Sequence, residues 1–127
     1  MAARILFVDD ERDIVTTARL WLEDAGYEFE GVYDGLEAIS AVQANRPDLV
    51  ILDVAMPRLN GWDVLRVLQD DPKTADIPVM MLTAMSSDAN IMQGWKIGCT
   101  FYQTKPFVWD ELLVLISRIL AGQAAEE

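Results

Sequence analysis

Five short apolar runs, each followed by a segment with helical spacing, divide this chain, and that alternation restricts its fold more than any other feature. A run of four or five apolar residues bounded by turn formers suits a strand buried on both faces. Arg4-Ile5-Leu6-Phe7-Val8 is the first such run, and Val50-Ile51-Leu52, leading into Asp53, is the central one. Strand and helix in strict alternation predict an α/β fold, a parallel sheet with helices on both faces. With 127 residues, 52% of them hydrophobic, the chain can build one real core. No internal repeat, low-complexity tract or linker divides it, so a single domain is expected.

The elements follow in order. After the first strand the period changes, and Ile14, Ala18, Trp21, Leu22 and Ala25 form a helical stripe that Gly26 ends, with Leu20 left outside. Tyr27 to Tyr33 reads as a shorter strand, marked as an edge by Glu28 and Glu30. Asp34-Gly35 turns into a helix over Leu36 to Asn45, and Arg46-Pro47-Asp48 breaks it before the central strand, Leu49 to Leu52. A third helix runs from Trp62 to Gln69 with Val64, Leu65 and Leu68 inward. Pro78 opens the strand Val79 to Leu82, which runs into Thr83. Ser86, Ser87 and Asp88 start a fourth helix reaching about Lys96. Cys99 to Gln103 is the fifth strand, and the last helix spans Val108 to Leu120. Its run Leu112-Leu113-Val114-Leu115-Ile116 sweeps past a full circle, so one residue must leave the core, and Val114 is the one expected outside. The domain is drawn over residues 1–121, with 122–127 as a short tail.

Charge and residue counts narrow the function. The 10 Lys+Arg against 21 Asp+Glu give a net charge of −11 and a pI of about 4.2. That balance argues against direct nucleic-acid binding and suits a domain that binds cations or basic partner surfaces. The single Cys99 excludes an internal disulfide, and it reads as a small core residue. Without a long apolar span or a leader pattern, no membrane association is expected, and a cytoplasmic setting is. There is no histidine, so no histidine base, ligand or phospho-histidine can come from this chain.

Four strands end in a group able to do chemistry: Asp9-Asp10, Asp53, Thr83 and Lys105. In an open parallel sheet these ends share one rim, where ligands bind. Alone, each has an ordinary role. Asp9-Asp10 could cap a helix, Asp53 could serve a turn, Thr83 could cap the next helix, and Lys105 could be a solvated charge. Together they mean more. Three converging carboxylates call for a cation, and hard oxygen donors suit Mg²⁺. A lysine and a hydroxyl opposite are what a transferred phosphoryl group needs around its oxygens. The chemistry implied is phosphoryl transfer to a carboxylate, with Asp53 as nucleophile.

Val8-Asp9-Asp10-Glu11, Leu52-Asp53-Val54-Ala55-Met56-Pro57 with Asn60-Gly61, Leu82-Thr83-Ala84 and Lys105-Pro106-Phe107 resemble the receiver domain of bacterial two-component response regulators. The resemblance covers nearly the whole chain. It implies a flavodoxin-like (βα)5 doubly wound sheet with strand order 2-1-3-4-5. It implies that Asp53 takes a phosphoryl group from a phospho-histidine on a sensor histidine kinase or a histidine phosphotransfer protein. Asp10 would ligate Mg²⁺ directly and Asp9 mainly through water, with Asp53 and the main-chain carbonyl of Ala55 completing the set. Lys105 would pair with the phosphoryl oxygens, Thr83 would hydrogen-bond them, and Tyr102 would swing inward to report the state. A cis Lys105-Pro106 peptide is implied as well. Such a domain catalyses only its own phosphorylation and dephosphorylation and is not a conventional enzyme.

By the same resemblance, the signal leaves through the fourth helix, the fifth strand and the last helix, to a downstream protein target or a homodimer partner. Trp95, Tyr102 and Trp109 are assigned to that surface. Ala55 departs from the many receivers with a longer side chain there, which leaves the lifetime of the phosphorylated state open. It also argues against a dehalogenase-type phosphatase, which needs a second acid at that position. Asp9-Asp10-Glu11 likewise argues against a flavin phosphate loop. The remaining alternative is a receiver-like interaction module that signals without phosphorylation.

Overall fold

The alternation produces five strands that pair side by side and all run parallel. The structure is a computed structural model and describes residues 2–83 and 101–126, with side chains as far as 122. In chain order the elements are β1 (Arg4–Val8), α1 (Arg12–Asp24), β2 (Glu28–Val32), α2 (Gly35–Ala44), β3 (Leu49–Asp53), α3 (Gly61–Asp70), β4 (Val79–Thr83), β5 (Phe101–Thr104) and a C-terminal helix (Trp109–Glu126). The sheet order is β2-β1-β3-β4-β5, the order expected. Every residue of β3 and β4 is buried, as continuous apolar runs in a doubly covered sheet should be. The fourth helix expected from Ser86 to Lys96, with Trp95 and Cys99, lies outside the described residues.

Side-chain alternation along the strands splits the core in two. Leu6, Val8, Val50, Leu52, Val79 and Met81 pack under α2 and α3, with Val64, Leu65 and Leu68 from the latter. Ile5, Phe7, Leu49, Ile51, Met80 and Leu82 pack under α1 and the C-terminal helix. The C-terminal helix contributes Leu112, Ile116 and Ile119 to this second layer. Val114 stays half exposed, as its place in the apolar run requires.

Two helices depart from expectation. In α1 the buried residues are Val15, Ala18 and Leu22, while Trp21 and Ala25 reach solvent. Ala18 and Leu22 are buried as expected, and Ile14 packs against the same layer. A Cβ at Gly31 of β2 would stand 2.4 Å from Val15 Cγ1, so the missing side chain makes the space that Val15 fills. Trp21 stacks on Trp109 of the C-terminal helix. The C-terminal helix continues to Glu126 rather than giving way to a tail at Gly122. Ala121, Gln123, Ala124, Ala125 and Glu126 are mostly strong helix formers, enough to carry the helix past one glycine.

The segment from Asp53 to α3 is short and tightly held. Asn60 caps α3 by accepting from the Asp63 N–H at 3.0 Å, and the Asp63 carboxylate accepts from the Asn60 N–H at 3.2 Å. The Gly61 N–H donates to the Val54 carbonyl at 3.0 Å. A Cβ at Gly61 would stand 2.3 Å from the Asp53 carbonyl oxygen and 2.9 Å from Val54 Cα, both backbone atoms. Only glycine lets α3 start this close to the end of β3. Gly61→Ala is therefore expected to destabilise the fold by roughly 2–3 kcal/mol in urea unfolding. Gly122→Ala, with nothing within 4 Å, is expected to be neutral or to gain up to about 1 kcal/mol.

Candidate functional site

Strand register delivers the site. Asp9 follows β1, Asp53 ends β3, and Lys105 follows β5, all at the carboxyl rim of the sheet. By alternation these three extend the rows of Phe7, Ile51 and Phe101, on the side of α1 and the C-terminal helix. Asp9 is wholly buried and Asp53 nearly so, whereas Asp10 faces solvent. Each of the three carboxylates offers an oxygen, and these oxygens all lie within 4.8 Å of one another. Lys105 Nζ lies 2.9 Å from Asp9 Oδ2 and 3.4 Å from Asp53 Oδ1. The Lys105 main-chain N–H donates to the Thr83 carbonyl at 2.7 Å, and the Lys105-Pro106 peptide is cis.

Asp9 and Lys105 do not take the ordinary roles open to them. The N-cap of α1 is Glu11, with no side-chain cap bond, and Asp9 Oδ1 instead accepts from the Glu11 N–H at 2.9 Å. Lys105 is largely shielded, with its side chain 17% exposed. Among the described residues one ammonium faces three carboxylates, so this cluster is short of positive charge. Burial, and then the neighbouring Asp9 charge, push the Asp53 carboxyl up to about 6 against the opposing pull of Lys105 and the Ala55 N–H. Burial draws the Lys105 ammonium down, but its hydrogen bond to Asp9 and the charges of Asp53 and Asp9 outweigh that and raise it. Clustered hard oxygen donors with an unmet need for positive charge fit a divalent cation such as Mg²⁺.

The other expected residues are placed differently. Thr83 is buried at the end of β4, one step beyond Leu82, the register partner of Asp53. It continues the Val79–Met81 row, on the side of α2 and α3. Tyr102 shares that side, half-buried and stacked on Trp62 of α3, with centroids 6.2 Å apart and planes at 19°. Trp109 packs on the side of α1, opposite Tyr102. Its ring stacks on Trp21 at 6.1 Å and meets Phe107 edge-on at 5.0 Å. Phe7 lies behind it at 6.4 Å. The fourth helix, the remaining part of the surface expected to carry the signal, lies outside the described residues. Trp62 was not foreseen in any role, although a large aromatic directly after Asn60-Gly61 was a visible signal.

The family model of the response regulator receiver domain matches residues 5–117. This chain belongs to that family. The receiver is 39% identical over 127 residues to the response regulator MprA of Mycobacterium sp. (strain KMS), covering all of this chain and 54% of the relative. It is 38% identical over 117 residues to RpaA of Synechocystis sp., described as a DNA-binding dual master transcriptional regulator, covering 92% and 48%. The receiver thus spans about half the length of these relatives. Among solved structures it is similar to the chemotaxis protein CheY4 of Vibrio cholerae, with a TM-score of 0.89 and 34% identity over 94% of this chain and 99% of that one. A CheY-like receiver from Methanospirillum hungatei gives a TM-score of 0.94 at 26% identity, with both chains fully covered. Receivers are two-component signalling domains that work through phosphorylation and are not conventional enzymes. Among the described residues no helix is long and apolar enough to cross a membrane.

The raised Asp53 carboxyl has a consequence for stability. Because its folded value lies above the unfolded one, the folded receiver takes up the proton first, and stability from this group falls as pH rises from about 4 through 6. In chelator, Asp53→Asn is expected to be more stable than the parent at pH 7.5 by on the order of 2–3 kcal/mol. The gap should shrink towards pH 4.5, as measured by urea midpoints. A difference that stays constant with pH would contradict this.

Proposed function

We propose that Asp53 accepts a phosphoryl group from a phospho-histidine on a sensor histidine kinase or a histidine phosphotransfer protein. The observation that carries this reading is the setting of Asp53, with acidic neighbours Asp9 and Asp10 on one side and Lys105 Nζ 3.4 Å away on the other. An Asp53 carboxylate oxygen forms the new O–P bond as the N–P bond of the donor breaks. The donor histidine, protonated on its other ring nitrogen, departs as neutral imidazole. Lys105 pairs with the phosphoryl oxygens, and the Thr83 hydroxyl donates to them. Asp9, Asp10, Asp53 and the Ala55 carbonyl would hold Mg²⁺, which would supply positive charge to offset that on the phosphoryl group.

The donor must come from elsewhere, since this chain has no histidine. A groove of about 520 Å³ beside the site supports an approach along α1: Ile14, Pro106, Phe107 and Trp109 give it an apolar lining, with Lys105 among its residues. Tyr102 reports the phosphorylated state, and β5 with the C-terminal helix passes it to a protein target or a second copy. The reading keeps residues 1–121 as the receiver unit, in the cytoplasm, with the last helical turns extending it.

Acetyl phosphate or phosphoramidate with Mg²⁺ is expected to label the protein with an alkali-labile phosphate. Asp53→Asn and chelator should each reduce incorporation to background. Retained labelling in Asp53→Asn would overturn the site. No labelling of the wild type under any Mg²⁺ concentration would favour a module that signals without phosphorylation.

A further inference from the structure

Trp62 directly follows Gly61, which lies against the Asp53 backbone, and its ring stacks on Tyr102. It is the second residue of α3, and its side chain is almost completely buried. The start of α3 cannot shift independently of β3. Gly61 is hydrogen-bonded to the Val54 carbonyl and leaves no room for a Cβ against the Asp53 backbone. The Asn60–Asp63 capping box fixes the same turn from outside. The indole is therefore carried by the main chain that bears Asp53. Its ring lies against Tyr102 in a stack tilted by only 19°. Tyr102 in turn pairs in register with Met81 and precedes Lys105 by three residues.

A path thus runs from the Asp53 main chain through Gly61 and Trp62 to Tyr102. We propose that Trp62 is the positioning residue for Tyr102, holding its ring against α3 so that the unphosphorylated chain already favours the inward state. The proposal rests on the reading of Asp53 as phosphoacceptor and Tyr102 as the residue that moves. Linkage gives it a second face. If phosphorylation favours inward Tyr102, a residue that favours inward Tyr102 also strengthens binding at Asp53 by the same factor.

The test uses the protein labelled with 3-fluorotyrosine at its three tyrosines, with the Tyr102 ¹⁹F resonance assigned by Tyr102→Phe. In the unphosphorylated protein, Trp62→Leu should move the Tyr102 resonance towards that of solvated tyrosine, and Trp62→Phe should largely keep it. Unchanged Tyr27 and Tyr33 resonances show that the fold is intact. A Tyr102 resonance indifferent to Trp62→Leu would overturn the proposal. With Mg²⁺ and beryllofluoride as phosphoryl analogue, Trp62→Leu should weaken binding about fivefold, at the lower end of ordinary coupling, and Trp62→Phe less than twofold. Equal affinity of Trp62→Leu and wild type would remove the regulatory role. Absence of beryllofluoride binding to the wild type would instead defeat the phosphoacceptor reading, while the resonance still reports the stack.

Discussion

Two carboxylates are buried beside one ammonium at the rim of this sheet, and the rest of the structure is arranged to keep them there. A carboxylate buried without partners takes in solvent or a proton. The parallel register prevents the first by setting Asp9 and Asp53 at strand ends inside a doubly covered sheet. Lys105 opposes the second, held across the rim by its main-chain bond to Thr83. The cluster stays short of positive charge all the same. A site built this way has a use for a divalent cation.

Alternation along the strands then divides the labour. Odd positions on β1, β3 and β5 bring Asp9, Asp53 and Lys105 to the side of α1 and the C-terminal helix. Thr83 and Tyr102 fall on the other side, with α2 and α3. The acidic cluster with Lys105 and the Trp62–Tyr102 stack thus lie on opposite sides of one sheet. The first turn of α3 matters because Gly61 joins it to the backbone of Asp53 and Trp62 joins it to Tyr102.

The central strands and the residues that gather at the rim were legible in the sequence because β1, β3 and β4 are short apolar runs and four strands lead into a polar or charged group. Asp53 after Leu52 and Lys105 before Pro106 are of that kind. The direction of helix faces was less legible. The stripe Ile14, Ala18, Trp21, Leu22 and Ala25 holds for Ala18 and Leu22, with Ile14 packed against the same layer, but not for Trp21 and Ala25. Val15 joins the buried face because Gly31 on another element leaves room for it. The stack of Trp21 on Trp109 is likewise a contact between two helices. Gly122 looked like a helix stop but has strong helix formers on both sides, and a single glycine costs a helix only about 1 kcal/mol. Pairwise packing across elements is what spacing within one element does not contain.

The layer under α1 also bears on how the chain can be made. Ile5, Phe7, Leu49, Ile51 and Met80 are covered in part by Leu112, Ile116 and Ile119, which are synthesised last. During translation the α2 and α3 side can close early, while the opposite face of the sheet waits with its aliphatic and aromatic surface uncovered. A chain paused or cut before about residue 119 would present that surface to chaperones and to other nascent chains. The C-terminal helix is in this sense the lid on the core, and whatever follows it in a longer protein emerges only after the receiver has been given the means to close.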